Sequence, residues 1–403
     1  MREALKLILP EKKEHAEIKK IAKQVKDKIK ISHTKITFGG SSAKNTFLKG
    51  NNEIDMYIKF APKYYRELDI SQILKENLKF KEVETIHGSR DYYHIQKGKY
   101  TVELIPILDI KKPEKAQNIT DISPFHVKWV TKHKQYANDI RLAKAFCKAN
   151  KLYGAESYIQ AFSGYALEIL TIHYKGFNKL MKAVAKWKTK TVLDPEKHYK
   201  KQNPLLLMNK SKTFSPIVIV DPVQDTRNVT AVVSKEKYNL FKKLAKQYLK
   251  NPRLKFFQQE EFDFEKIKKK HKKKTLLTLD INPLDGKRDV VGAKLLKVHR
   301  YFLKKFNEHE FEVKDHGWHW DNQALLYYAI EPKNLSKTVK HVGPPVDAKE
   351  RLKHFKQKWK KHKVKTTKGV SFVMIPRLYP EPEHLVKELK KDQYVTSRVI
   401  KIN

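Results

Sequence analysis

The stretch Phe38-Gly-Gly-Ser-Ser-Ala-Lys-Asn-Thr-Phe-Leu-Lys-Gly-Asn-Asn-Glu-Ile-Asp55 constrains this chain more than any other. A short apolar run ends in a glycine–serine turn, and a Glu-Ile-Asp triplet then heads a second apolar run. Residues i and i+2 of a strand point to one face, so Glu53 and Asp55 converge on one spot. Carboxylates that close repel each other unless a cation lies between them. Magnesium is the hard divalent ion that prefers carboxylates and also bridges phosphates. The pattern points to phosphoryl or nucleotidyl transfer.

The charge balance points the same way. Against 44 Asp and Glu stand 86 Lys and Arg, a formal net charge of +42. Such a field attracts polyanions and makes nucleic-acid binding steeply salt-dependent. A generally lysine-rich proteome would account for part of the excess. With 40% hydrophobic residues the chain can build real cores, which excludes wholesale disorder. Its 403 residues suggest two to four domains at roughly 100–200 residues each. The single cysteine, Cys147, excludes an intrachain disulfide and fits a reducing compartment. No apolar run approaches the ~20 residues of a membrane helix. The apolar stretch near the N-terminus is too short for a secretory signal. A cytoplasmic protein without membrane association is expected.

Periodicity lays out the elements. Residues 11–30 read as a basic amphipathic helix, with Ile18, Ile21, Ala22, Val25 and Ile29 on one face. Strands are expected at Lys35–Phe38 and Glu53–Phe60, a helix near Asp69–Leu78, and a hairpin of Tyr92–Gln96 and Tyr100–Ile107 around Lys97-Gly98. Pro113–Pro124 reads as a loop. The texture then becomes helical: Asp139–Lys151, a helix capped by Ser163, and one starting at Ser234 and ending at Asn251-Pro252. After the lysine-dense Lys266–Lys274 come strand Leu276–Ile281, helix Gly292–Asn307, strand Gln323–Ile330, helix Lys349–Lys361 and strand Val370–Ile375. That β-α-β-α-β order suggests a small α+β sandwich of ferredoxin-like type.

In Tyr100-Thr-Val-Glu-Leu-Ile-Pro106, Glu103 is the only acid of an apolar strand. A lone acid there is costly unless paired or metal-bound, so Glu103 is the candidate third carboxylate. Alone, each of the three acids reads as readily as an exposed strand-face residue; their combination with the Gly-Ser turn is far more specific. His316-Gly-Trp-His319-Trp lacks partner ligands at usable zinc spacing. No Gly-x-x-x-x-Gly-Lys-Ser/Thr loop is present, which argues against a phosphate-loop ATPase.

The turn, the Glu-Ile-Asp triplet and the Val-Glu-Leu-Ile-Pro strand together resemble the nucleotidyltransferase superfamily that includes DNA polymerase β. Five further segments occur in order: Ser123-Pro-Phe-His-Val-Lys-Trp129, Tyr153-Gly-Ala-Glu156, Phe162-Ser-Gly-Tyr165, Val220-Asp-Pro-Val223 with Arg227-Asn228, and Gly343-Pro-Pro345. With them the chain resembles the archaeal class I CCA-adding enzymes from about residue 11 to about residue 378. The resemblance implies an α+β multidomain fold: a polymerase β-like head of mixed sheet and helices (1–125), a helical neck and body (126–275), a ferredoxin-like tail (276–378) that binds tRNA, and a C-terminal return segment (379–403).

By the same resemblance, Glu53, Asp55 and Glu103 hold two Mg2+ ions and carry catalysis, with Glu103 standing where the family often has Asp. Gly40, Ser41, Lys44, His126, Lys144 and Tyr153 bind the nucleotide, Lys44 standing where arginine is frequent. The helical wheel sets Lys144 beside the Ile140/Ala143/Cys147 stripe, at the border of the core. Arg227 reads the incoming base. The implied substrates are CTP, ATP and the acceptor arm and 3′ end of tRNA, and a homodimer is compatible with the family. A poly(A)-polymerase-like or oligoadenylate-synthetase-like activity shares the acid triad and stands as the alternative, with a non-catalytic tRNA-binding protein as the reading of a different class.

Overall fold

The computed structural model describes residues 1–332 and 335–403. They form two compact units, Met1–Glu260 and Glu261–Asn403. The expected boundary at 125/126 falls inside the first unit, between two separate apolar cores, and the units divide at 260/261.

The first core belongs to a five-stranded sheet: β1 (Thr34–Phe38), β2 (Glu53–Phe60), β3 (Glu84–Ile86), β4 (Tyr92–Lys97) and β5 (Tyr100–Leu108), in the order β1-β2-β5-β4-β3. Only β2 and β5 run parallel. Ile54, Met56, Ile58 and Phe60 of β2 and Val102 and Leu104 of β5 face one side, where Ile18, Ala22, Val25 and Ile29 cover them. Those four residues come from the helix Lys12–Lys28 and its C-cap, and a reciprocal Glu11/Glu14 capping box starts that helix. Alternation leaves Glu53, Asp55 and Glu103 on the opposite face. A slip of one residue would bury the acids in the core, so the apolar pattern itself holds them in register.

In the body, helices Ala137–Ala149, Gly164–His173, Phe177–Ala185 and Lys235–Lys250 enclose Phe146, Phe162, Phe177 and Phe241. The expected caps are made: Ser163 accepts from the Ala166 N–H at 3.1 Å and Ser234 from the Lys237 N–H at 3.2 Å. A small sheet adds β6 (Thr191–Leu193), β7 (Ile217–Asp221) and β8 (Gln224–Asn228). β7 is buried along its whole length and ends in Asp221.

The second unit contains β9 (Thr275–Pro283), β10 (Val313–Trp320), β11 (Ala324–Ile330), β12 (Thr338–Pro345), β13 (Lys365–Thr367), β14 (Val370–Pro376) and β15 (Val399–Ile402). One antiparallel sheet has the order β10-β11-β9-β15. With helices Arg288–Glu308 and Pro382–Leu389 it makes the β-α-β-β-α-β arrangement of a ferredoxin-like fold. Its β9 and β11 are the strands read in the sequence at Leu276–Ile281 and Gln323–Ile330, and the other two differ. The Val370–Ile375 strand, expected to close this sandwich, lies instead in an inserted sheet of order β12-β14-β13. The closing strand is β15, so segment 379–403 completes the tail sheet. β10 and β15 are edge strands, one half-exposed and one only four residues long, and edges carry the weakest hydrophobic alternation. Among the described residues no helix is long and apolar enough to cross a membrane.

Candidate active site

Asp55 and Glu103 are register partners on the parallel strands β2 and β5, and Glu53 precedes Asp55 by two residues on the same face. His94 on β4 is the register partner of Glu103 on its other side, with Nε2 at 2.9 Å from Glu103 Oε1. Burial, then the neighbouring Glu103 and Glu53, push the Asp55 carboxyl up to about 7. This is the electrostatic mark of acids that need a cation. Glu53 is exposed at the start of β2. Among the described residues no three acid, histidine or cysteine side chains are drawn close enough to hold an ion.

The glycine turn lies directly on this face. The Gly39 N–H donates to the Asp55 carbonyl at 2.8 Å, and the chain continues as a short helix, Gly40–Lys44. Gly40 has φ +49°, and a Cβ there would come within 1.4 Å of Asp55 Oδ2. A Cβ on Gly39 would lie 2.6 Å from the Tyr57 ring. Only glycine permits this approach of backbone to carboxylate. Ser41 follows at once, and beside it the buried Ser42 Oγ has no hydrogen-bond partner among the described residues.

Lys44 and Lys144 meet on one carboxylate, Glu168 of the helix Gly164–His173. Lys44 Nζ lies 2.8 Å from Oε2 and Lys144 Nζ 2.7 Å from Oε1, which also accepts from Thr46 Oγ1 at 2.9 Å. Lys144, expected at the border of the core, lies inside it at 4% exposure, and Glu168 is buried at 1%. Burial alone would raise the Glu168 carboxyl, but Lys144 and Lys44 hold it down at about 2. Tyr153 joins the group: its hydroxyl and the Lys144 Cε both lie within 4 Å of where a Gly164 side chain would begin.

His126 and Arg227 meet on a second buried acid, Asp221. His126 Nε2 lies 3.1 Å from Oδ2, Arg227 Nη1 donates to Oδ2 at 2.8 Å, and the Tyr165 hydroxyl donates to Oδ1 at 3.1 Å. Burial lowers the His126 pKa, whereas the contacts from His126, the Val223 N–H and Arg227 hold Asp221 low against its own burial. The Lys44 ammonium sits 5.2 Å from the Tyr165 ring centroid and so lies beside both groups.

Sequence reasoning assigned no role to Glu168, Asp221, Tyr165 or His94. Glu168 did carry a signal: it is the single acid in Gly164-Tyr-Ala-Leu-Glu-Ile-Leu-Thr-Ile172, and a lone acid in an apolar helix calls for a cation. His94 carried none.

Family models match the chain in three successive segments: a nucleotidyltransferase domain over residues 18–126, the second domain of tRNA nucleotidyltransferase over 138–258, and the CCA-adding enzyme C-terminal domain over 274–398. The CCA-adding enzyme of Nanoarchaeum equitans is 35% identical over 392 residues, covering 94% of this chain and 95% of that one. The chain belongs to the CCA-adding enzyme family. Other CCA-adding enzymes, from Saccharolobus solfataricus and Methanosarcina mazei, are each 30% identical over 85% of this chain and over 80% and 75% of their own lengths. Among solved structures, the Cid1 poly(U) polymerase shares the fold, with a TM-score of 0.51 at 12% identity over 62% of this chain and 93% of that one. As in other CCA-adding enzymes, the head is a nucleotidyltransferase domain, and the protein is a nucleotidyltransferase acting in tRNA processing.

Carboxylate oxygens from Glu53, Asp55 and Glu103 on one sheet face are donors of the kind a hard divalent cation such as magnesium takes, and the raised Asp55 carboxyl holds a proton that such an ion would displace. The retained proton sets a pH dependence. Below about 7 Asp55 holds its proton and an ion must displace it; above about 7 the Asp55 carboxylate is already free for the ion. Apparent magnesium affinity is therefore expected to rise about tenfold per pH unit up to that point and level off beyond it. Magnesium titrations followed by thermal shift from about pH 5.5 to about 8.5 measure this; a pH-independent affinity would exclude a raised Asp55 carboxyl at the ion site.

Proposed function

We propose that this protein completes the 3′ end of tRNA, adding C, C and A from CTP and ATP without a template. The observation that carries the reading is the acid face: Asp55 and Glu103 in register, with Gly40 pressed against Asp55, in a CCA-adding family chain. The tRNA 3′-hydroxyl oxygen loses its proton to water and forms a bond to the nucleotide α-phosphorus, the α–β phosphoanhydride bond breaks, and pyrophosphate leaves with its electron pair. Two magnesium ions held by Glu53, Asp55 and Glu103 would neutralise charge on the attacking and departing oxygens.

The remaining residues bind and orient. Gly40 lets the turn backbone pass directly against Asp55, where a Cβ would collide with the carboxylate, and this sets Gly40 and Ser41 beside the acid face to bind the triphosphate. Lys44, Lys144, His126 and Tyr153 surround the triphosphate, with Glu168 and Asp221 holding the cationic groups in place. The Arg227 guanidinium is braced by Asp221 while its side chain keeps 33% exposure, which suits a residue that reads a base edge. In the second unit, Lys349–Lys368 is an exposed run with one acid, Glu350, among its lysines, and this supports contact with the phosphates of the acceptor arm. The cytoplasm is the proposed setting, where the buried Cys147 stays a thiol.

Incubation with magnesium, tRNA lacking its last three nucleotides, and CTP and ATP singly or mixed tests the reading. Ordered C-C-A addition is expected. Long A tails would favour a poly(A)-type polymerase, and no addition a tRNA-binding protein. Arg227→Ala is expected to lower discrimination between CTP and ATP by about 1–3 kcal/mol, roughly five- to 150-fold in the ratio of kcat/KM values. An unchanged ratio would remove Arg227 from base recognition.

A further inference from the structure

Four register positions on one face of the head sheet form a row across the strands: Asp55 on β2, Glu103 on β5, His94 on β4 and Glu84 on β3. The contacts along it are unequal. His94 Nε2 lies 2.9 Å from Glu103 Oε1, whereas His94 Nδ1 lies 3.6 Å from the exposed Glu84. The Tyr92 ring packs edge-on against His94 at 5.5 Å between centroids. His94 and Glu103 are each about four-fifths buried, so both have few alternative partners in solvent.

We propose that His94 is a positioning residue that fixes the carboxylate of Glu103 for the metal-binding face. Glutamate has one more rotatable bond than aspartate, so an unrestrained Glu103 carboxylate would sample several orientations, only some of which face Asp55. The contact to Oε1 ties one oxygen to the neighbouring strand and leaves the other free to turn toward Asp55. His94 is thus the counterpart of the longer acid: a glutamate reaches both the histidine and the site, while an aspartate in its place is one methylene short of the histidine. Outer partners of this kind are commonly worth about ten- to a hundredfold in metal affinity or activity.

The inference rests on the acid-face reading above, which wild-type incorporation tests separately. The experiment is a double-mutant cycle of His94→Ala and Glu103→Asp, with Mn2+ binding to the tRNA-free protein read by electron paramagnetic resonance alongside kcat and the KM for nucleotide. With Glu103 in place, His94→Ala is expected to weaken Mn2+ binding and kcat about ten- to a hundredfold with little change in nucleotide KM. In the Glu103→Asp background the same change is expected to do much less, because the contact is already lost. His94→Gln, whose amide can still donate to Glu103, is expected to recover most of the loss. It also serves, with His94→Leu as its non-donating control, should the alanine variant fold poorly. Equal effects of His94→Ala in the two backgrounds, unchanged Mn2+ affinity, or no difference between the Gln and Leu variants would overturn the proposal.

Discussion

Asp55→Ala is expected to abolish nucleotide incorporation, by about a thousandfold or more, while tRNA affinity stays within a few-fold of wild type. Asp55 is the acid common to every part of the site: it faces Glu103 across β2–β5, follows Glu53 on its own strand, and lies under Gly40. Charge stabilisation by bound metal is worth several kcal/mol in the transition state, and each ~1.4 kcal/mol is tenfold in rate. On the proposed reading, affinity for tRNA would come instead from phosphate contacts spread over a large basic surface, which one head carboxylate does not alter. Single-turnover incorporation and filter binding measure the two quantities; substantial incorporation by the alanine variant would end the two-ion assignment.

The same acid has a stability signature. Its folded-state pKa, about 7, is above the usual value for an unfolded aspartate, so it costs stability increasingly as pH rises toward 7 and fully above it. Asp55→Asn should therefore raise the melting temperature of metal-free protein at about pH 8 and leave it nearly unchanged at about pH 4. An inactive variant that is more stable than wild type would be hard to explain by misfolding, which is why the two measurements belong together.

Glu168→Gln is expected to be the most damaging single change away from the acid face. Glu168 is the only carboxylate shared by Lys44 and Lys144 among the described residues, and Lys144 also contacts Thr46. Breaking a buried ion pair from one side leaves a charge without compensation and costs about 3–5 kcal/mol. The Glu168 contribution is present above the unfolded glutamate pKa and is lost as pH falls through its folded value of about 2. The difference between variant and wild type should accordingly shrink in strong acid. Chemical denaturation of the full chain measures the loss, and nucleotide KM should rise alongside it because Lys44 and Lys144 lose their anchor. Glu168→Leu combined with Lys144→Met should recover part of the stability but not nucleotide affinity. A Glu168→Gln protein that unfolds at the wild-type midpoint would show that the pair is energetically idle.

The head was the most legible region because its acids belong to an alternating pattern. Ile54, Met56, Ile58 and Phe60 assign one face of β2 to the core, and Glu53 and Asp55 follow on the other. Ser163 and Ser234 announced two helices by their own capping chemistry. Legibility failed where a strand was short or at an edge. β10 has a mixed sequence, Val313-Lys-Asp-His-Gly-Trp-His-Trp320, and β15 has four residues, so the tail sandwich was closed with a strand from the inserted sheet.

The chemistry of the site is written locally along the chain: a glycine turn, two acids at i and i+2, and a third in an apolar strand. Each depends on neighbours a few residues away, through the two-residue repeat of a strand and the freedom of glycine. Which groups brace the others is a matter of packing. Lys44 and Glu168 are 124 residues apart in sequence, and His126 and Asp221 are 95 apart. No periodicity links such pairs. They form because burying a lysine, a histidine or a carboxylate in an apolar body is tolerable only when a partner arrives with it. That partner is chosen by how the helices pack, which no local pattern along the chain records.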